Sequence, residues 1–345
     1  MEPYVIVLII PLLSALLQST RPMRIQPFYW LFFLLLVLFS GLRYQVGPDW
    51  SGYYYIFDGY IETPIENIAF LSEPGFFLIN KLADSLGLGL QGVIFFSAVI
   101  FLFGCFTYAR CTANPWIALS AVMPYLVFVI SMSGIRQAAA IGIGFFLFSR
   151  WNKSSILEKI LLILLATSIH NSAIALTFFL IFQFKQGTLV RLVLSFAVLF
   201  PVMYFLDSID KTQRYREIYI EENLISDGAF FHVLLVAIPA ALYLFYRKKL
   251  VVKGLSDSNV MLASIATLAL MPMLAVSSTG VDRLTLYFSF VQMWVYPALL
   301  SSGVINKSLA RASFAALVLA IFIGYFFYGT HASAYVPYKN MLFLQ

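Results

Sequence analysis

The chain has 345 residues, of which 61% are hydrophobic, 17% aromatic and only 11% charged. A soluble domain carries about 25% charged residues, so a soluble enzyme is excluded and no nucleic-acid partner is expected. The formal net charge of +6 gains meaning only once it is divided between two faces of a membrane.

In chain order, the sequence opens with MEPY, which lacks the basic start of a cleavable signal; no A-x-A-like site follows. Apolar stretches lie near 3–20, 28–42, 91–109, 115–131, 135–149, 156–169, 171–184, 188–206, 229–246, 258–276, 283–301 and 310–328. Many are long enough to cross about 30 Å of hydrocarbon as helices. The expected fold is all-α: a polytopic helical integral membrane protein with about 12 transmembrane helices, forming one membrane domain over 1–345. The period-2 alternation of an outer-membrane barrel is absent. The stretches 156–169 and 171–184 are short for straight crossings and read as spans or as one re-entrant hairpin. Residues 74–90, PGFFLINKLADSLGLGL, carry Lys81 and Asp84 among apolar neighbours and read as an interfacial or re-entrant helix. That helix belongs to an outer loop over 43–90, and a second outer loop covers 207–228. No internal repeat of the kind that builds transporters is visible. Cys105 and Cys111 lack a metal-ligand spacing and read as inert packing residues.

The positive-inside rule orients these spans. With the N-terminus outside, the inner loops hold 14 of the 22 basic residues and only Glu158 and Asp257 of the 16 acidic ones. Both termini then lie on the outer face, where basic residues are scarce. Three of those arginines sit against apolar sequence: Arg43 ends the second span, Arg136 opens IRQAAAIGIG, and Arg283 opens RLTLYF. An arginine near hydrocarbon needs a partner. Asp49, Glu73, Asp282 or lipid headgroups supply one. Three guanidinium groups at one depth also suit a bound pyrophosphate, whose oxygens match the planar fork of donors.

Other polar groups fall at the same level. His170 stands at an outer turn, and Glu73 precedes Pro74, which can begin a helix as its first residue. Glu73, His170 and Asp49 are therefore candidate general bases, and each has a plainer reading as a cap or packing residue. Trp50 and Tyr53–Tyr55 suit an interfacial aromatic belt or a stack against sugar rings. His232 and His331 also fall outside, with no constellation around either. Gly134, Ala138 and Gly142 repeat small residues every four positions, a pattern for close helix packing. No Walker loop, GxSxG, HExxH or CxxC pair occurs. The residues require neither cofactor nor metal.

RYQVGPDWSGYYYIF resembles the arginine–x-x-x-Gly-x-Asp–x-x-x-Tyr signature of EpsG-like proteins, the Wzy-type polymerases of O-antigen and exopolysaccharide. EPGFFLINKL, IRQAAAIGIGFFLFS, IHNSAIAL, RLTLYF and YVPYKN follow in the family's order, so the resemblance spans about 41–340. Pro48 departs from the family, where a small polar residue is common. The resemblance implies a GT-C-like architecture in the bacterial inner membrane with its active face periplasmic. It implies a glycosyltransferase joining undecaprenyl-pyrophosphate-linked oligosaccharides, which serve as donor and acceptor. Membrane lipids and a chain-length regulator are the other implied partners. It assigns catalysis to Glu73, His170 and Asp49 and pyrophosphate binding to Arg43, Arg136 and Arg283. Trp50, Tyr54 and Tyr338 are then sugar-binding candidates. A flippase or transporter of the same lipid-linked sugar, and an O-antigen ligase, are the alternatives. A flippase would place its charges near mid-membrane, and a ligase would have a larger outer loop than 207–228.

Overall fold

The computed structural model describes residues 1–17, 27–183, 190, 228–254 and 257–343. The expected span at 188–206 and the outer loop at 207–228 therefore lie almost wholly outside the described residues, as do Arg21, Arg24, Lys185 and Arg191. Among the described residues there is no β-strand, only an isolated bridge between Arg43 and Asn340. By its internal packing the chain divides into two compact units: 1–171 with 296–345, and 172–295.

Unit 1 begins with α1 (Glu2–Leu17), α2 (Pro27–Gly41), α3 (Trp50–Glu62), α4 (Pro74–Ser85) and α5 (Gly89–Ala109). It continues with α6 (Pro115–Val122), which runs into a π-helical segment (Met123–Ile130), then α7 (Ile135–Arg150) and α8 (Ile156–Ile169). Unit 2 holds α9 (Thr177–Ile181), α10 (Ala229–Val252), α11 (Ser258–Leu270) and α12 (Ser278–Leu286). Helix α13 (Phe290–Ser302) straddles the boundary, and α14 (Lys307–Tyr328) returns the chain to unit 1.

The apolar stretches within the described residues form helices, though not all of them have the length of a straight crossing. Among the described residues, four helical segments have the length and apolarity to cross a membrane: α5, α10, α14, and α11 with the 3-10 turn that follows it. A fifth arises if α12 and α13 are one span bent by 56°. The others are shorter, because hydropathy reports apolarity and not straightness. Pro124 lacks the N–H that an α-helix needs, and the wide-turned π segment begins beside it. The protein is a multi-pass helical membrane protein. On α8, Leu157, Leu161 and Leu164 are exposed, as lipid-facing side chains are.

Within unit 1, α5 is the central element and packs on α2, α4 and α7. Gly104 and Gly142 let α5 and α7 meet backbone to backbone, since a Cβ on Gly104 would stand 1.9 Å from the Gly142 carbonyl oxygen. The small-residue pattern thus serves packing at Ala138 and Gly142, whereas Gly134 caps α7 and has no such close neighbour.

Unit 1 has two chemically different ends. At one, Arg110 lies over the Trp30 ring, and exposed Cys111 approaches the Ser149 carbonyl beside Arg150. Cys105 is buried, and both thiols are free. At the other end, Gln91 donates to the Gly41 carbonyl, so the start of α5 lies beside the end of α2. There the C-terminal segment is tied to the first loop by Tyr44 N–H on Lys339 O, Gly47 N–H on Ala334 O and Met341 N–H on Leu42 O. Gly47 has φ +101°, and a Cβ there would lie 2.2 Å from the Met132 carbonyl oxygen, so this turn requires glycine.

The stretch 43–90 is more structured than a loop. Helix α3 buries Tyr53 and Phe57, four residues apart, and exposes Tyr54 and Tyr55. Helix α4 buries Phe76, Phe77, Asn80 and Ala83 on one face and exposes Leu78 and Leu82.

Candidate active site

Glu73 occupies the N-cap position of α4, with Pro74 as the first helical residue. Its side chain makes no cap to its own helix. Instead Oε2 accepts from Arg136 at 2.6 Å, and Oε1 accepts from His170 Nδ1 at 2.6 Å and from the Asn171 backbone N–H at 3.3 Å. Three segments separated in sequence thus meet on one carboxylate that is only 5% exposed.

Local structure sets this meeting. Gly75 is the contact between α4 and the end of α8: a Cβ there would lie 2.3 Å from Ser168 Oγ and 3.0 Å from the Ser168 carbonyl carbon. The end of α8 then presents His170, its C-cap residue. A capping box of Ser155 and Glu158 starts α8. Arg136 stands in the first turn of α7, after the π segment and the turn at 131–134. Its guanidinium lies 5.8 Å from the Tyr53 ring centre and 5.7 Å from that of Phe76, within cation–π range of both.

Burial alone would push the Glu73 carboxyl up. The hydrogen bond and charge of His170, with those of Arg136, outweigh burial and hold it at about 2. Glu73 is therefore ionised at any physiological pH. An ionised acceptor favours the tautomer in which His170 donates to it through Nδ1.

The other arginines have different surroundings. Arg43 is 1% exposed, and its donors serve backbone carbonyls, Nε that of Val46 at 3.2 Å and one terminal nitrogen that of Ser40 at 2.7 Å. Burial pulls its pKa down to about 10, which leaves it charged at neutral pH. It does not pair with Asp49. That carboxylate is exposed and accepts from Ser133 Oγ at 2.6 Å. Arg283 lies on α12 in unit 2, half-buried.

Among the aromatic candidates, Trp50 packs edge-on to Tyr44 and Tyr54 is 54% exposed. Tyr338 stacks on Phe39 at 4.4 Å and donates to the Phe39 carbonyl, so one face and its hydroxyl are engaged within the protein. His232, which the sequence left without a constellation, pairs with Asp282 at 3.1 Å. The only sequence signal for that pair was the lone acid beside Arg283.

The chain matches the profile of the EpsG family across residues 27–340. It belongs to the EpsG family. Members of this family are Wzy-like polymerases, glycosyltransferase-like membrane proteins. No curated protein and no solved structure matches the chain. For an EpsG protein, the Glu73–Arg136–His170 cluster joins in one place three of the motifs that carried the resemblance. It offers a fixed cation and an oriented imidazole at one end of unit 1.

Proposed function

We propose that this EpsG protein is a polysaccharide polymerase. It joins undecaprenyl-pyrophosphate-linked oligosaccharide repeat units at the periplasmic face of the bacterial inner membrane. A hydroxyl of the incoming unit attacks the anomeric carbon of the growing chain. A carbon–oxygen bond forms there, the bond from that carbon to the lipid pyrophosphate breaks, and its electron pair leaves with the pyrophosphate. The hydroxyl proton passes to His170 Nε2.

The observation that carries this reading is the buried Glu73 carboxylate holding Arg136 and His170 together. A carboxylate with a pKa of about 2 and three donors on it is a poor base. Glu73 is better suited to orient the imidazole and the guanidinium, as the third group of a catalytic triad does. Asp49, exposed and bonded to Ser133, is the alternative base. Arg136 uses one terminal nitrogen on Glu73 and leaves Nε without an acceptor. It is 31% exposed, which suits stabilisation of charge on a leaving pyrophosphate. Arg43 enters by its outer-face position and by resemblance, and its enclosed guanidinium fits the holding of the 43–47 turn. Arg283 enters on the same two grounds. The charge split between the loops supports the outward orientation of the site.

The test is deletion of the gene in its host, with the surface polysaccharide run on a gel. A polymerase leaves a single repeat unit and no ladder. Loss of every modified product assigns the protein to ligation or flipping. Purified protein with the lipid-linked unit is expected to build the ladder, and His170→Gln to abolish it while still binding the unit.

A further inference from the structure

Unit 2 carries a second imidazole–carboxylate pair, which the proposed reaction does not use. His232, in the first turn of α10, sets Nδ1 3.1 Å from Asp282 Oδ2 on α12, and these two helices pack together. Gly228 makes room for the ring, since a Cβ there would stand 2.9 Å from the imidazole Cε1 and Nε2. The pair is partly open, with His232 21% and Asp282 16% exposed. Arg247, Lys248 and Lys249 lie in the last turns of the same 24-residue helix. His232 is about 22 Å from Arg247 along the axis. The positive-inside rule therefore assigns the pair to the outer end of α10.

The Asp282 carboxylate is chemically incomplete. Asp282 Oδ1 has no hydrogen-bond partner, although buried carboxylate oxygens are normally met by donors. The missing group must donate a hydrogen. A phosphate at neutral pH accepts hydrogen bonds and has little to donate, whereas a sugar hydroxyl does both. Asp282 and Arg283, adjacent in the chain, also cancel in formal charge.

We propose that His232 and Asp282 form a sugar-hydroxyl subsite on unit 2, which holds the oligosaccharide of a lipid-linked repeat unit. The proposal rests on the polymerase reading, in which two sugar-bearing lipids must be held at once.

The experiment measures binding to the purified full chain in detergent with two probes. One is the lipid-linked repeat unit extracted from the host's deletion strain, and the other is undecaprenyl pyrophosphate without sugar. Asp282→Asn and His232→Gln are each expected to weaken binding of the sugar-bearing lipid by about ten- to a hundredfold, the value of a hydrogen bond to a charged group. Binding of the sugarless lipid is expected to stay unchanged. Undiminished affinity for the sugar-bearing lipid in both variants overturns the subsite. Equal loss of both probes overturns it too, by assigning the pair to the fold or the headgroup. If the wild type binds neither probe and builds no ladder, the polymerase reading has failed, and the subsite fails with it.

Discussion

Glu73 and Arg43 are both nearly sealed from solvent, yet they call for opposite expectations. Glu73 at about 2 lies below its ordinary 4.5, so the folded protein binds its proton less tightly than the unfolded chain does. Its stabilisation is complete above about 4.5 and is lost as pH falls toward 2. The melting temperature in detergent should therefore fall across that window. Glu73→Gln should start lower at pH 7 and lose less on acidification; identical curves for the two proteins would remove the buried carboxylate from the account. Arg43 donates to the carbonyls of Val46 and Ser40 in this interior. Arg43→Lys should cost about 1–3 kcal/mol of stability by leaving an acceptor unmet, with turnover per folded molecule retained. Arg136→Lys should do the reverse. An ammonium can pair with Glu73 but cannot reproduce a planar fork, so turnover should fall about a hundredfold with little change in melting. Turnover and thermal melts measured side by side on both variants separate the two roles.

At the scale of elements, the cluster depends on how closely α4 approaches α8. Gly75→Val would drive its side chain into Ser168 and push Glu73 away from His170. A displacement of about 1 Å can cost a hundredfold in rate, so activity should collapse while the membrane-inserted fold survives. Gly59→Ala is the control. It lies inside α3 with nothing within 4 Å of its Cβ, so it should be neutral or slightly stabilising. Equal activity in the two variants would show that α4–α8 spacing does not set the site. Parts of this arrangement were legible beforehand. Pro74 announced the start of α4, and the charge-poor run after Arg136 announced α7. The turning of Glu73 away from its own helix was not legible, because a cap and a buried ion pair present the same residue at the same position.

For the whole molecule, the orientation is open to direct measurement. Cys111 is exposed and lies beside Ser149 at the arginine-rich end of unit 1. In cells with a leaky outer membrane it should resist an impermeant maleimide and react in inverted vesicles. With Cys111 replaced by Ser, Ser51→Cys on α3 should label in the whole cells. The opposite pattern would put the cluster on the cytoplasmic side and end the proposed reaction. The sequence by itself determined the class of molecule, since 61% hydrophobic residues in helix-length blocks have no stable place in water. It also determined the sidedness expected of the loops, because charge is counted residue by residue. Only the tertiary structure decided which spans are long enough to cross, since prolines and π turns break apolar runs that hydropathy reads as continuous. It alone decided the partners of the charges as well. Arg136 and His170 lie 63 and 97 positions from Glu73, and no local periodicity reports a distance that helix packing creates.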